Sequence, residues 1–210
     1  MNDFPVLDIG VRPALDKSTW TLRLFGLVNN AVTLNWSQCS ALPQTSALSD
    51  MHCVTQWTQL DMCWESVTGC ELVQLANPMD EAQFVTLHGD DDYTTNLPLE
   101  TLLDDDVLIA HSVLGAPLSV DHGWPARMVV PKRYARKGAK WISAIEFHAK
   151  DRPGFWEVRG YHNDVDRGRK SVLAFRRKTI IAPFSARQAL ASASIGAPSK
   201  AIMSQDPRQH

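Results

Sequence analysis

No stretch of this chain approaches the roughly 18 consecutive apolar residues that a membrane-crossing helix needs, so no membrane segment is expected in it. The start, MNDFPVLDIG, lacks a basic region followed by an apolar one, and no secretory leader is visible. Cysteine is scarce. Cys39, Cys53, Cys63 and Cys70 are the only 4 in 210 residues, with no CxxC pair and no dense disulfide spacing. These absences fit a reduced cytoplasmic protein best, with a periplasmic location open if a leader has been removed. A net charge of −2 offers no global attraction to nucleic acid or an anionic membrane, and neither partner is expected. The GxxxxGK spacing of a phosphate loop is also absent.

What the chain does have is 44% hydrophobic and 21% charged residues, enough to build one substantial core. TWTLRLFGLV alternates at Trp20, Leu22 and Leu24, the period of a half-buried strand, and NAVTLNW predicts a second short strand. A Pro/Ser-rich turn then leads to DMHCVTQW, where Val54 and Trp57 suggest a strand or strand end. ESVTGCELVQLANP reads as a short helix stopped by Asn77-Pro78. EAQFVTLHG predicts a strand, DDDYTTN a polar turn, and PLETLL a short helix opened by Pro98 before a strand at 107–110. ARMVVP and KWISAIEFHA predict further strands, and 152–169 a loop. Residues 185–210, rich in Ala, Ser, Gln and Pro, predict a loosely attached tail to a single domain over 1–184. Many short strands with few short helices predict an α+β fold of mixed, mainly β character.

Charge is concentrated despite the near-neutral total. Between His122 and Ile145 there is no acidic residue, yet Arg127, Lys132, Arg133, Arg136, Lys137 and Lys140 all fall inside. In RKGAK, Gly138 and Ala139 sit among cations. Small residues let backbone N–H groups approach an anion closely while Lys and Arg supply charge, a combination that suits phosphate. DHGWPAR adds His122 before a second small-residue turn. A solvated basic loop would read the same way.

Cys53 is open to three readings: a small buried residue, a nucleophile paired with a distant histidine, or a metal ligand. Zinc is disfavoured, because His52, Cys53, Cys63 and Cys70 lack short paired spacing.

The ordered set TWTLRLFGLV, DMHCVTQW, YTTNLPL, LLDDDVLIA, HGWPARMVVPKRYARKGAKW and RPGFWEVRGYH resembles the molybdopterin-binding domain of the sulfite oxidase family. The resemblance spans about residues 5–169. It is to the small bacterial members, related to the methionine sulfoxide reductase catalytic subunit. It implies the sulfite oxidase-type fold and a molybdenum-dependent oxidoreductase performing two-electron oxygen-atom transfer on a small molecule, with a possible redox partner protein. Cys53 falls at the position of the cysteine that ligates molybdenum, for which a soft thiolate is suited. The resemblance further implies that His122, Arg127, Gly138, Ala139 and Lys140 hold the pterin and its phosphate, with Lys137 as an auxiliary cation. The chain departs from the family at three places. Sulfite oxidases carry arginines soon after the cysteine, where CVTQW continues with Thr58. The usual DGYTTNLPL has Asp92 in place of its glycine, and HGGP is HGWP. Trp57 and Tyr134 would form an aromatic rim, and Arg133 and Arg136 are the remaining cations for substrate. A sulfoxide or N-oxide is therefore expected ahead of the sulfite dianion. A sulfite oxidase-type activity and a non-catalytic molybdopterin carrier module are the alternatives.

Overall fold

The computed structural model describes residues 5–53, 55, 57–161 and 163, so the tail expected from residue 185 lies outside the described residues. The strands in chain order are β1 (Thr21–Gly26), β2 (Val32–Asn35), β3 (Thr45–His52), β4 (Thr58–Thr68) and β5 (Phe84–Gly89). They continue with β6 (Thr94–Pro98), β7 (Leu108–Val113), β8 (Ala116–Pro117), β9 (Arg127–Val129) and β10 (Ile142–His148). Two short helices, α1 (Trp36–Ala41) and α2 (Gly69–Ala76), and a few 3-10 turns complete a mainly β, mixed α+β fold.

The alternation in β1 becomes burial: Leu22 and Leu24 are fully enclosed, while Thr21 and Arg23 face out. With Leu87 and Ile145 they anchor the larger core, each contributing on the order of 1.5–3 kcal/mol. One sheet runs β2-β1-β10-β5-β6, antiparallel except where β1 meets β10. The other runs β3-β4-β7-β8, with β9 also paired to β7. A smaller core of Met51, Met62, Trp64 and Val113 lies against this second sheet. Strand β9 serves both cores, because its side chains alternate: Met128 enters the larger and Val129 the smaller. Arg127 shares the Val129 face, and its guanidinium lies 5.8 Å from the centre of the Trp64 ring.

Several elements differ from the sequence expectation. The strand in NAVTLNW stops at Asn35, whose side chain accepts from Gln38 N in a capping box that starts α1. TSALSD, expected as part of a turn, is β3, and ESVT belongs to β4 rather than to a helix. Thr68 then caps α2, which ends at Asn77 with φ 48° before Pro78. The β3–β4 pair escaped the period-2 test because its register shifts between Ser49 and Met51, near Asp61 at φ 55°. DDDYTTN is a turn only as far as Tyr93, since Thr94 begins β6. Asp92 adopts φ 64° there, a left-handed conformation that aspartate tolerates better than most residues. PLETLL forms a 3-10 turn, Leu99–Leu103, rather than an α-helix.

Candidate active site

A cavity of about 350 Å³ is walled by Met51 of β3, Arg127 of β9 and loops, including the turn between β5 and β6. Cys53 enters it directly after the last residue of β3. Its backbone N–H donates to Trp57 O at 3.0 Å. The Thr55 hydroxyl donates to Cys53 Sγ at 3.1 Å. Trp57 returns to line the same wall.

His122, Arg127, Gly138 and Lys140 form one side of the cavity. Gly123 holds φ 104°, and a Cβ there would lie 2.9 Å from Arg127 Cβ and 3.2 Å from Lys140 Cβ. Glycine is thus what lets the histidine turn and both cations converge. A Cβ on Gly138 would meet Met128 O at 2.5 Å, so this turn lies directly on β9. His122 Nδ1 is 2.7 Å from Ser119 Oγ. Arg127 donates to His122 O at 3.2 Å and to Gly138 O at 3.5 Å, while its Nε is buried without a partner. Burial pulls its pKa down to about 10. Lys140 donates to Asp121 O at 2.9 Å and rests 4.3 Å above the Trp141 ring. Burial, with Arg127 nearby, lowers Lys140 to about 8. Neither cation forms an ion pair among the described residues, although Asp8 and Asp91 partly offset the charge of Lys140, so both carry a desolvation cost that a bound anion would offset.

Another group of lining residues is aromatic: Tyr93, Trp156 and Tyr161, with Arg136 among them. The Tyr93 hydroxyl donates to the Arg136 carbonyl. Trp156 lies between Phe155 and Tyr161, with ring centres 5.1 Å and 5.0 Å away. Asp91 also reaches the cavity, accepting from Tyr93 N at 3.2 Å, and burial raises its pKa. Residues 5–9 border the cavity through Pro5, Leu7, Asp8 and Ile9.

The residues singled out from sequence therefore separate. Cys53, Trp57, His122, Arg127, Arg136, Gly138 and Lys140 converge on the cavity. Ala139 is fully buried behind it, with its carbonyl accepting from Met128 N at 2.8 Å. Lys137 does not line the cavity: its ammonium lies 2.9 Å from Glu157 Oε1 and donates to Asn96 O at 2.9 Å. Arg133 borders a small neighbouring recess, and Tyr134 lines neither space. The sequence reading passed over Asp91, Tyr93, Trp156, Glu157 and Tyr161. For Trp156, Glu157 and Tyr161 a signal was present in RPGFWEVRGYH, where Phe155, Trp156 and Tyr161 are too dense for an ordinary polar loop, whereas Asp91 lies in neither that motif nor YTTNLPL.

A model of the oxidoreductase molybdopterin-binding domain matches residues 9–156. The uncharacterized oxidoreductase YuiH of Bacillus subtilis is 41% identical over 160 residues, covering 76% of this chain and 81% of that protein. The "Putative protein-methionine-sulfoxide reductase subunit YedZ1" of Azospira oryzae is 26% identical over 148 residues, covering 70% of this chain and 56% of that one. Among solved structures, the sulfane dehydrogenase SoxCD of Paracoccus pantotrophus matches with a TM-score of 0.62 at 24% identity. That match covers 66% of this chain and 40% of the other, and it establishes the shared sulfite oxidase-type fold. The chain belongs to the oxidoreductase molybdopterin-binding domain family.

Proposed function

We propose that the chain holds a molybdenum–molybdopterin group in this cavity and reduces a small sulfoxide- or N-oxide-type oxygen donor. The residues present fit such a group. Among the described residues Arg127 Nε is buried without a partner, neither Arg127 nor Lys140 forms an ion pair, and the Gly138 turn leaves no room for a side chain. His122, Arg127, Gly138 and Lys140 would hold the pterin phosphate, and Cys53 would supply a soft thiolate to the metal. The bound group supplies the two-electron oxygen-atom exchange, while the chain supplies binding, orientation and electrostatics.

The observation that carries the substrate assignment is the state of Arg136. It is the one cavity-lining cation among the described residues whose guanidinium lies over the Tyr161 ring, and its NH1 already lies 2.7 Å from Glu157 Oε1. A sulfite dianion needs well-placed cations, whereas a neutral donor needs an apolar wall with a few polar groups. Trp57, Trp156 and Tyr161 suit the second. The name of the Azospira relative, a protein-methionine-sulfoxide reductase subunit, supports the same class.

The test is paired steady-state assays on molybdenum-loaded protein. Reduced viologen supplies two electrons for sulfoxide plus two protons giving sulfide plus water. Ferricyanide accepts two electrons from sulfite plus water giving sulfate plus two protons. The expected result is a higher kcat/KM for at least one oxygen donor than for sulfite. Sulfite above every donor tried would replace this reading with a sulfite oxidase-type activity.

A further inference from the structure

The wall that carries Trp156 and Tyr161 is fastened by buried charge. Glu157 Oε1 lies 2.7 Å from Arg136 NH1 and 2.9 Å from Lys137 Nζ, with the three side chains 3%, 8% and 2% exposed. Lys137 also donates to Asn96 O at 2.9 Å and Asn96 Oδ1 at 3.1 Å, tying the cluster to β6. Phe155 N donates to Thr94 O at 2.9 Å on the same strand. Arg136 faces the cavity, its guanidinium 5.5 Å from the centre of the Tyr161 ring. One carboxylate thus serves two cations, and only one of them borders the cavity.

At this separation in a partly dry environment, a carboxylate cancels most of the field its cation would project. An incoming dianion would meet Arg136 together with Glu157, and would be repelled by the second as it is drawn by the first. A neutral S=O or N=O group feels little of either charge. We infer that Glu157 is the specificity-determining residue of the cavity, compensating Arg136 so that the aromatic side rejects dianions and accepts neutral oxygen donors. This rests on the substrate class proposed above. Rejection through an unfavourable charge is a general route to specificity.

The probe is sulfate, a dianion shaped like sulfite that is not turned over, titrated calorimetrically into loaded holoenzyme whose phosphate site is filled. The informative variant is Lys137→Met/Glu157→Gln, which removes one cation and one carboxylate, leaves the cluster's formal charge unchanged and takes the Glu157 carboxylate off Arg136. Gain of one charge-assisted hydrogen bond predicts sulfate binding at least about ten-fold tighter than wild type. For sulfite the gain should appear in KM rather than kcat, and Glu157→Asp should restore wild-type sulfate binding. Unchanged sulfate affinity in the loaded double variant would overturn the inference. If that variant does not fold, Arg136→Met decides. An already compensated arginine predicts a change in sulfate affinity below about two-fold, and a loss of about ten-fold or more would refute the role of Glu157. Wild-type enzyme that prefers sulfite over all oxygen donors sinks the substrate class instead, so the two failures are distinguishable.

Discussion

The basic segment that stands out in the sequence divides into two regions with opposite electrostatic fates. At one end, Arg127 and Lys140 are buried against backbone carbonyls with no ion pair among the described residues. Their pKa values are pulled down to about 10 and about 8. At the other, Arg136 and Lys137 share Glu157. The first region keeps its cations buried with no ion pair among the described residues, as the proposed anion site requires, and the second uses charge to fix a wall. A run of cations in sequence is therefore not a uniform surface: what each cation faces decides whether it binds or braces.

The largest expected effect falls at Cys53, which lines the same cavity as Arg127, Lys140 and Arg136. Cys53→Ser replaces a soft ligand with a hard, far less acidic one, so turnover should fall to background and metal retention should drop. The comparison is blurred if the serine variant, assayed for molybdenum and turnover, matches wild type.

Next come two substitutions of opposite sign on the apo protein, followed by denaturant unfolding. Glu157→Ala leaves two buried cations without their carboxylate and should destabilise by about 3–5 kcal/mol. Arg127→Met removes a buried cation that has no carboxylate and should stabilise by about 1 kcal/mol. Equal signs would erase the distinction between the two regions.

Lys140→Ala should leave the fold intact but cut cofactor loading by about ten-fold under limiting supply, the value of one charge-assisted hydrogen bond. The smallest effect is on pH. The folded pKa of Lys140 is depressed to about 8 from its ordinary 10.5, so its charged form is disfavoured in the folded apo protein. Unfolding takes up a proton between these values, and apo stability should rise as pH climbs from about 8 towards 10.5. A bound anion favours the protonated amine, so sulfate affinity of the apo protein should decline above about pH 8. A flat profile from pH 7 to 9.5 in wild type, identical to that of Lys140→Ala, would remove Lys140 from the anion wall.

Much of this was legible in the sequence where a single physical signal dominated. The alternation of Leu22 and Leu24 marked β1, Asn77-Pro78 marked the end of α2, and the absence of acids after His122 marked the segment that brings Arg127 and Lys140 to the cavity. The register shift between β3 and β4 was not legible, because an irregular pair breaks the period that identifies strands. Nor was the division of the basic segment. Lys137 and Lys140 are three residues apart and chemically alike, but Gly138 turns the chain against β9 between them. Only tertiary contacts bring Glu157 to one and leave the other without an ion pair among the described residues. RPGFWEVRGYH could be recognised as a motif, while its closure over the cavity depends on Phe155 pairing with Thr94 across long sequence separation.

The central claim is that the Arg127 side of the cavity exists to hold an anionic, metal-bearing group. Its most direct test is molybdenum per chain, measured by elemental mass spectrometry on protein produced with limiting molybdopterin. Three proteins are compared: wild type, Arg127→Met and the exposed control Lys17→Ala. The account predicts equal content in wild type and Lys17→Ala and a fall of about ten-fold or more in Arg127→Met, the loss of charge-assisted hydrogen bonding to phosphate. Equal molybdenum in all three would contradict it.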